Sequence, residues 1–156
     1  TKASALKSKR AASTSALQPS VIPFELDGPW KPEDAEEEAA FEAMLHALVE
    51  ENRNVTHWTH VRLKKSSSAI FAVLHAAPYG LPRIDLRNYA RKFVGDTGLL
   101  DYTIKVLVNR TVCGFFMKRE TDPETGRLLY YLEFLDGERG KRHRNRTHAH
   151  KAAKNV

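Results

Sequence analysis

The sequence predicts an α+β fold in which helices come first and a β-hairpin closes the core. Apolar residues recur at three- and four-residue spacing from Phe41 to Val108, and beyond Asn109 that period stops. From there, Val112–Arg119 and Leu128–Leu135 are rich in aromatic and branched residues, and they flank the turn-forming Asp122-Pro123-Glu124-Thr125-Gly126. At 156 residues, the chain has room for one such core with tails, or two very small domains, but not a large two-domain enzyme. The residue at its start, Thr1, is that of a processed or excerpted chain.

After Asp27-Gly28-Pro29, Pro32-Glu33-Asp34 opens a helix with its acids near the positive end of the dipole. Phe41, Met44, Leu45, Leu48 and Val49 form one apolar stripe, which should fade near Asn52 or Asn54. Residues 55–65 alternate loosely through Val55, Trp58, Val61 and Leu63, which predicts an extended connection ending in Lys64-Lys65. Ser66 to Ser68 offer N-caps for a helix carrying Ile70, Val73, Leu74 and Ala77, stopped by Pro78-Tyr79-Gly80. Leu81 to Ile84 form a short extended piece. Asp85 then caps a helix that buries Leu86, Tyr89, Ala90, Phe93 and Val94, with Gly95 at its C-terminal stop. Asp96 or Thr97 caps the next helix, with Gly98 permitting the tight turn and Leu100, Ile104, Leu107 and Val108 buried. Cys113 falls in the first hairpin strand as a small core residue. Three helices and a hairpin in this order make a winged helix, the last two helices forming the helix-turn-helix and the hairpin the wing. The chain divides into an N-terminal arm over 1–31, an acidic amphipathic helix over 32–54, a winged-helix domain over 55–136 and a basic arm over 137–156.

The net charge of +6 is unevenly placed. Residues 1–20 hold four basic residues and no acid, residues 21–54 two against ten, and residues 55–94 seven against one. Residues 95–136 hold five against seven and residues 137–156 seven against one. Both ends lack the large apolar residues that would offset the entropy of ordering them. Their plain reading is solvated ends; their functional reading is phosphate-neutralising arms, with Arg139, Lys141, Arg142, Arg144, Arg146, Lys151 and Lys154 in the C-terminal one. Within the core, Arg83, Arg87, Arg91 and Lys92 lie on or beside one helix whose other side is apolar, extended by Lys64, Lys65, Lys118, Arg119 and Arg127. Such a face suits a phosphate backbone, against the alternative of an ordinary solvated surface. The following helix offers Asp101, Tyr102, Thr103 and Lys105, a poor set for reading bases, so backbone contact is expected over sequence recognition.

The run from Tyr89 through Gly95-Asp96-Thr97-Gly98-Leu99-Leu100-Asp101 continues with Lys105, Asn109, Val112 and Lys118-Arg119. Asp122-Pro123, Thr125, Leu128, Tyr130 and Leu132-Glu133 follow at hairpin spacing. This segment resembles one found in plant male-sterility and male-meiocyte-death PHD-finger proteins and, more loosely, in meiosis proteins of the dyad/ameiotic type. The resemblance implies a winged-helix-like module from nuclear proteins of meiosis and anther development, concerned with chromatin and transcription. A PHD finger needs seven cysteines and a histidine, and this chain has one cysteine, so histone-tail reading by such a finger does not carry over.

No catalytic constellation stands out. Asp96-Thr97-Gly98 matches the aspartic-protease triplet, but Gly95 before it, Leu99 after it and helical pattern on both sides are the wrong context. His57 and His60 have no third ligand nearby in sequence, and His143, His148 and His150 sit among Arg and Lys. His46 and His75 lie on helices beside apolar residues and read as packed. No cofactor, metal or enzyme activity is expected, and no apolar run approaches the roughly 20 residues of a membrane span. The expectation is a non-enzymatic nucleic-acid-binding protein, with RNA favoured over DNA, serving as a structural part of a large ribonucleoprotein such as a mitochondrial ribosome. The Ser-rich, acid-free residues 1–20, which read like a transit peptide, support the mitochondrial placement. The alternatives are a nuclear chromatin or transcription regulator and a protein-interaction module docking neighbours through the acidic helix 33–52.

Overall fold

The computed structural model describes residues 26–54 and 57–135. Helix α1 (Ala35–Asn52) starts just after the expected Pro32-Glu33-Asp34, with Asp34 as its cap. The Asp34 carboxylate accepts a hydrogen bond from Glu37 N at 2.8 Å, and Glu36, Glu37 and Glu38 occupy the first turn. Phe41, Met44, Leu45 and Leu48 are the buried stripe.

Helix α2 (His60–Ala76) begins earlier than expected. Residues 60–65, read from their sequence as extended, form its first turns, and Thr59 rather than Ser66–Ser68 is the cap, its Oγ1 accepting from Arg62 N at 3.3 Å. Ser66 and Ser67 lie inside the helix and are fully buried. Ser66 Oγ sits 2.6 Å from Thr103 Oγ1 and donates to Leu63 O at 3.2 Å. Satisfied in this way, a small polar residue can occupy a helix–helix contact without the cost of an unpaired hydroxyl.

Strand β1 (Leu81–Pro82) leads directly into α3 (Arg83–Ala90), so Asp85 is a first-turn residue and Pro82 holds the cap position. The helix ends through Arg91, at φ −63°, and Gly95 is not among the residues at positive φ; the expected glycine stop is absent. Tyr89 and Phe93 are only partly buried. Asp96 caps α4 (Thr97–Leu107), accepting from Leu99 N at 3.0 Å, which places Gly98 in the first helical turn and not in a tight turn before it.

The sheet has the order β1-β4-β3-β2, with β2 at Thr111–Val112, β3 at Phe115–Thr121 and β4 at Leu128–Phe134, all paired antiparallel. Val112–Arg119 is therefore two strands rather than one. Val112 pairs with Phe115 around Cys113 (φ 50°) and Gly114 (φ 84°), the two positive values a tight hairpin turn of the primed kind requires. Cys113 is a buried turn residue whose thiol reaches Glu37 O at 3.4 Å.

Helices α2, α3 and α4 pack on one another, with α1 laid against α2 and β2. Trp30 sits at the centre of an aromatic cluster, edge-on to Phe41 at 5.2 Å, Phe71 at 5.4 Å and Phe115 at 5.7 Å. Its backbone N–H donates to Ser68 O at 3.0 Å. Trp30, assigned by its sequence to the arm over 1–31, is thus a core residue. Residues 1–25 and 136–156, the greater part of the two expected arms, lie outside the described residues.

Candidate nucleic-acid interface

The solvent side of α4 is a stripe of Gly98, Asp101, Tyr102 and Lys105 at helical spacing, the opposite positions Leu99, Leu100, Thr103, Ile104 and Leu107 being buried. Helix α3 faces this stripe with two arginines. Arg87 Nη1 meets Asp101 Oδ2 at 3.3 Å, while Arg83 Nε lies 3.6 Å from Oδ1 and its Nη2 donates to Asp101 O at 2.9 Å. The carboxylate that would repel a phosphate is thereby held between two guanidinium groups, and the three side chains together carry one net positive charge.

The cations that the sequence groups into one face separate into three kinds. Some are engaged internally. Lys64 reaches Glu42 Oε1 at 2.6 Å and Glu38 Oε2 at 2.9 Å, joining α2 to α1. Those contacts, the Glu42 hydrogen bond first, push the Lys64 ammonium up and hold Glu42 below the usual carboxylate value. Lys118 lies 3.1 Å from Glu133 and 3.7 Å from Glu120, which in turn accepts from Tyr131 Oη at 2.6 Å. Lys92 donates to Leu26 O at 3.0 Å. Others are exposed and have no ion pair with another described residue: Lys65, Arg91, Arg119 and Arg127, joined by Lys105 on α4. The third kind, Arg139 to Lys154, lies outside the described residues.

The wing presents its cations on a fixed turn. Asp122 accepts from Glu124 N at 3.0 Å and from Thr125 Oγ1 at 3.0 Å, and Asp122 N donates to Arg127 O at 2.7 Å. Gly126, at φ 73°, completes it. Arg119 on β3 and Arg127 at the turn's end both stand in solvent. Lys105 is the cation that grouping by sequence omitted, although its place in the 98–101–102–105 stripe was readable from helical spacing.

Asp96 and several acids of α1 find partners within the molecule. Asp96, of the protease-like triplet, caps α4 and pairs with Arg62 Nη2 at 2.5 Å; these contacts, the Leu99 N–H first, keep its carboxyl below the usual value. The acidic helix is largely answered from within the molecule. Glu38 and Glu42 meet Lys64, Glu51 pairs with Arg110, and buried Glu37 accepts from Glu33 N at 2.9 Å.

A helix-turn-helix within a three-helix core, closed by a hairpin, defines a winged helix, an architecture that places its second helix against nucleic acid. Residues 57–135 match the family described as "Winged helix-turn-helix domain in plant reproductive proteins", and the chain belongs to that family. It is similar to the PHD finger protein MALE STERILITY 1 of Arabidopsis thaliana, at 32% identity over 77 residues, 49% of this chain and 12% of that protein. It is similar also to the PHD finger protein MALE MEIOCYTE DEATH 1 of Arabidopsis thaliana, at 44% over 57 residues, 36% of this chain and 8% of that one. Protein DYAD of Arabidopsis thaliana aligns at 32% over 94 residues, 55% of this chain and 14% of that protein. The chain thus spans a small fraction of the length of these relatives. No solved structure matches.

These matches bear out the resemblance read from Gly95–Asp101 and the hairpin, and they agree with the non-enzymatic reading. They overturn the RNA-binding ribosomal role and the mitochondrial location, because the kinship is with plant reproductive PHD-finger and DYAD proteins. A Ser-rich basic start has the composition of both a transit peptide and a basic arm, so composition does not carry a mitochondrial placement.

Proposed function

We propose that the protein binds duplex DNA through the α4 stripe and the wing, chiefly by phosphate contacts, as a nuclear chromatin-associated or transcriptional module. The observation that carries this is the Arg83–Asp101–Arg87 arrangement at the α3–α4 junction. It turns an acidic position on the presented helix into a net cationic one, with Lys105 one turn beyond and Arg119 and Arg127 on the wing. The stripe lacks the Asn, Gln or unpaired Arg that would make bidentate contacts to base edges, so discrimination between sequences should be weak. Lys65 and Arg91, and the arm cations from Arg139 to Lys154, would add phosphate contacts without adding specificity.

Fluorescence anisotropy of the full chain on a panel of unrelated duplexes tests this. Affinities should agree within about threefold across sequences and should fall steeply with added salt. A single duplex bound more than about a hundredfold tighter than the rest would mean base reading and would refute the proposal.

A further inference from the structure

Outside the proposed DNA face, helices α1 and α2 bring together three side chains with metal-ligand chemistry. Glu42 and His46 stand four residues apart on one face of α1, and His60, the first residue of α2, meets them. Their ligand atoms all lie within 4.8 Å of one another. His60 Nε2 is 2.6 Å from Glu42 Oε2, and the His46 and His60 rings stack with centroids 4.6 Å apart. His60 therefore gains from the fold two ligand-type neighbours that its sequence surroundings lack.

We propose that Glu42, His46 and His60 form a binding site for a zinc-class divalent metal ion, with water completing its coordination. Two imidazoles and one carboxylate suit a borderline transition ion and not magnesium or calcium, which take oxygen ligands. Bonds of about 2.0–2.2 Å in tetrahedral geometry place donor atoms roughly 3.3 Å apart. The His60–Glu42 contact of 2.6 Å therefore opens by less than about 1 Å, and all three donors already lie within 4.8 Å of one another. His46 is exposed. Lys64 uses Glu42 Oε1, leaving Oε2 for the ion, and Glu38 remains a second partner for its ammonium. The bound ion would fasten the middle of α1 to the first turn of α2. Other described histidines do not compete: His75 is buried with Nδ1 on Phe71 O at 2.9 Å, and the His57 ring packs on Trp58.

The test is calorimetric titration of the chelator-treated full chain with zinc sulfate, paired with thermal unfolding. One ion should bind per chain, and zinc at about a hundredfold above Kd should raise the unfolding midpoint by roughly 5–15 °C. His46→Ala, at an exposed position, should keep the metal-free midpoint, weaken binding at least about tenfold and shrink the zinc-induced rise, and His60→Ala should do the same to binding. The triple variant His143→Ala, His148→Ala, His150→Ala should leave both effects in place. Absence of binding to the wild-type chain, binding that survives His46→Ala and His60→Ala, or binding lost in the triple variant would each overturn the site.

Discussion

Replacing Asp101 with Asn removes the charge that holds Arg83 and Arg87 at the α3–α4 junction. The three side chains are partly exposed, at 44% for Arg83, 28% for Arg87 and 34% for Asp101, so solvent screens both pairs. The loss of stability should therefore be small, about 0.5–1 kcal/mol in total. For a core of this size, that lowers the unfolding midpoint by a few degrees. DNA binding should change in the opposite sense, because one negative charge leaves the presented helix and two guanidinium groups are released toward phosphate. A unit charge roughly 6 Å from a phosphate in water is worth about 0.7 kcal/mol, so affinity at low salt should rise roughly three- to tenfold. One or two new phosphate contacts would steepen the plot of log K against log salt by about 0.9–1.8. Anisotropy on one duplex over a salt series reads both quantities, and urea unfolding reads stability. Unchanged affinity and slope would remove the α3–α4 junction from the interface; weaker binding would mean that Asp101 holds the arginines in their bound positions.

Other expected outcomes test the fold. Trp30→Ala empties the centre of the aromatic cluster and should cost about 3–5 kcal/mol in urea unfolding, a large share of a domain's stability. Gly80→Ala should cost more than about 1 kcal/mol, since Gly80 sits at φ 87° and an added Cβ would meet Tyr130 O at 3.0 Å. Glu42 has a carboxyl held below its ordinary 4.5, chiefly by Lys64, so its contribution is complete above that value and lost as pH falls through the lowered one. In metal-free buffer, the stability gap between wild type and Glu42→Gln should be present at about pH 5 and close as pH falls below about 4.5.

Periodicity located α1, α3, α4 and the hairpin because each buries a stripe or alternating set of its own. Helix α2 was misplaced because its first half is Lys64-Lys65-Ser66-Ser67-Ser68, where the buried face is made of serines. The partner of buried Ser66 is Thr103, 37 residues away, which no local pattern contains. The turn at Cys113-Gly114 was hidden inside a branched and aromatic run, although Gly114 marked it. Charge was the least legible quantity. Lys64 finds Glu38 and Glu42 at separations of 26 and 22 residues, Arg87 finds Asp101 at 14, and Arg110 finds Glu51 at 59. Counting basic residues along the chain could not tell these engaged cations from the exposed Lys105, Arg119 and Arg127. The same long-range closure brings His60 to His46.

The proposed interface is tested most directly by reversing the two exposed wing cations, Arg119→Glu with Arg127→Glu, and measuring the salt dependence of duplex binding. Loss of two phosphate contacts should flatten the slope by about 1.8 and weaken binding alike on every duplex, while Arg53→Glu, at the far end of α1, changes neither. A slope unchanged by the wing reversal, or a loss confined to particular sequences, would contradict binding through the phosphate backbone.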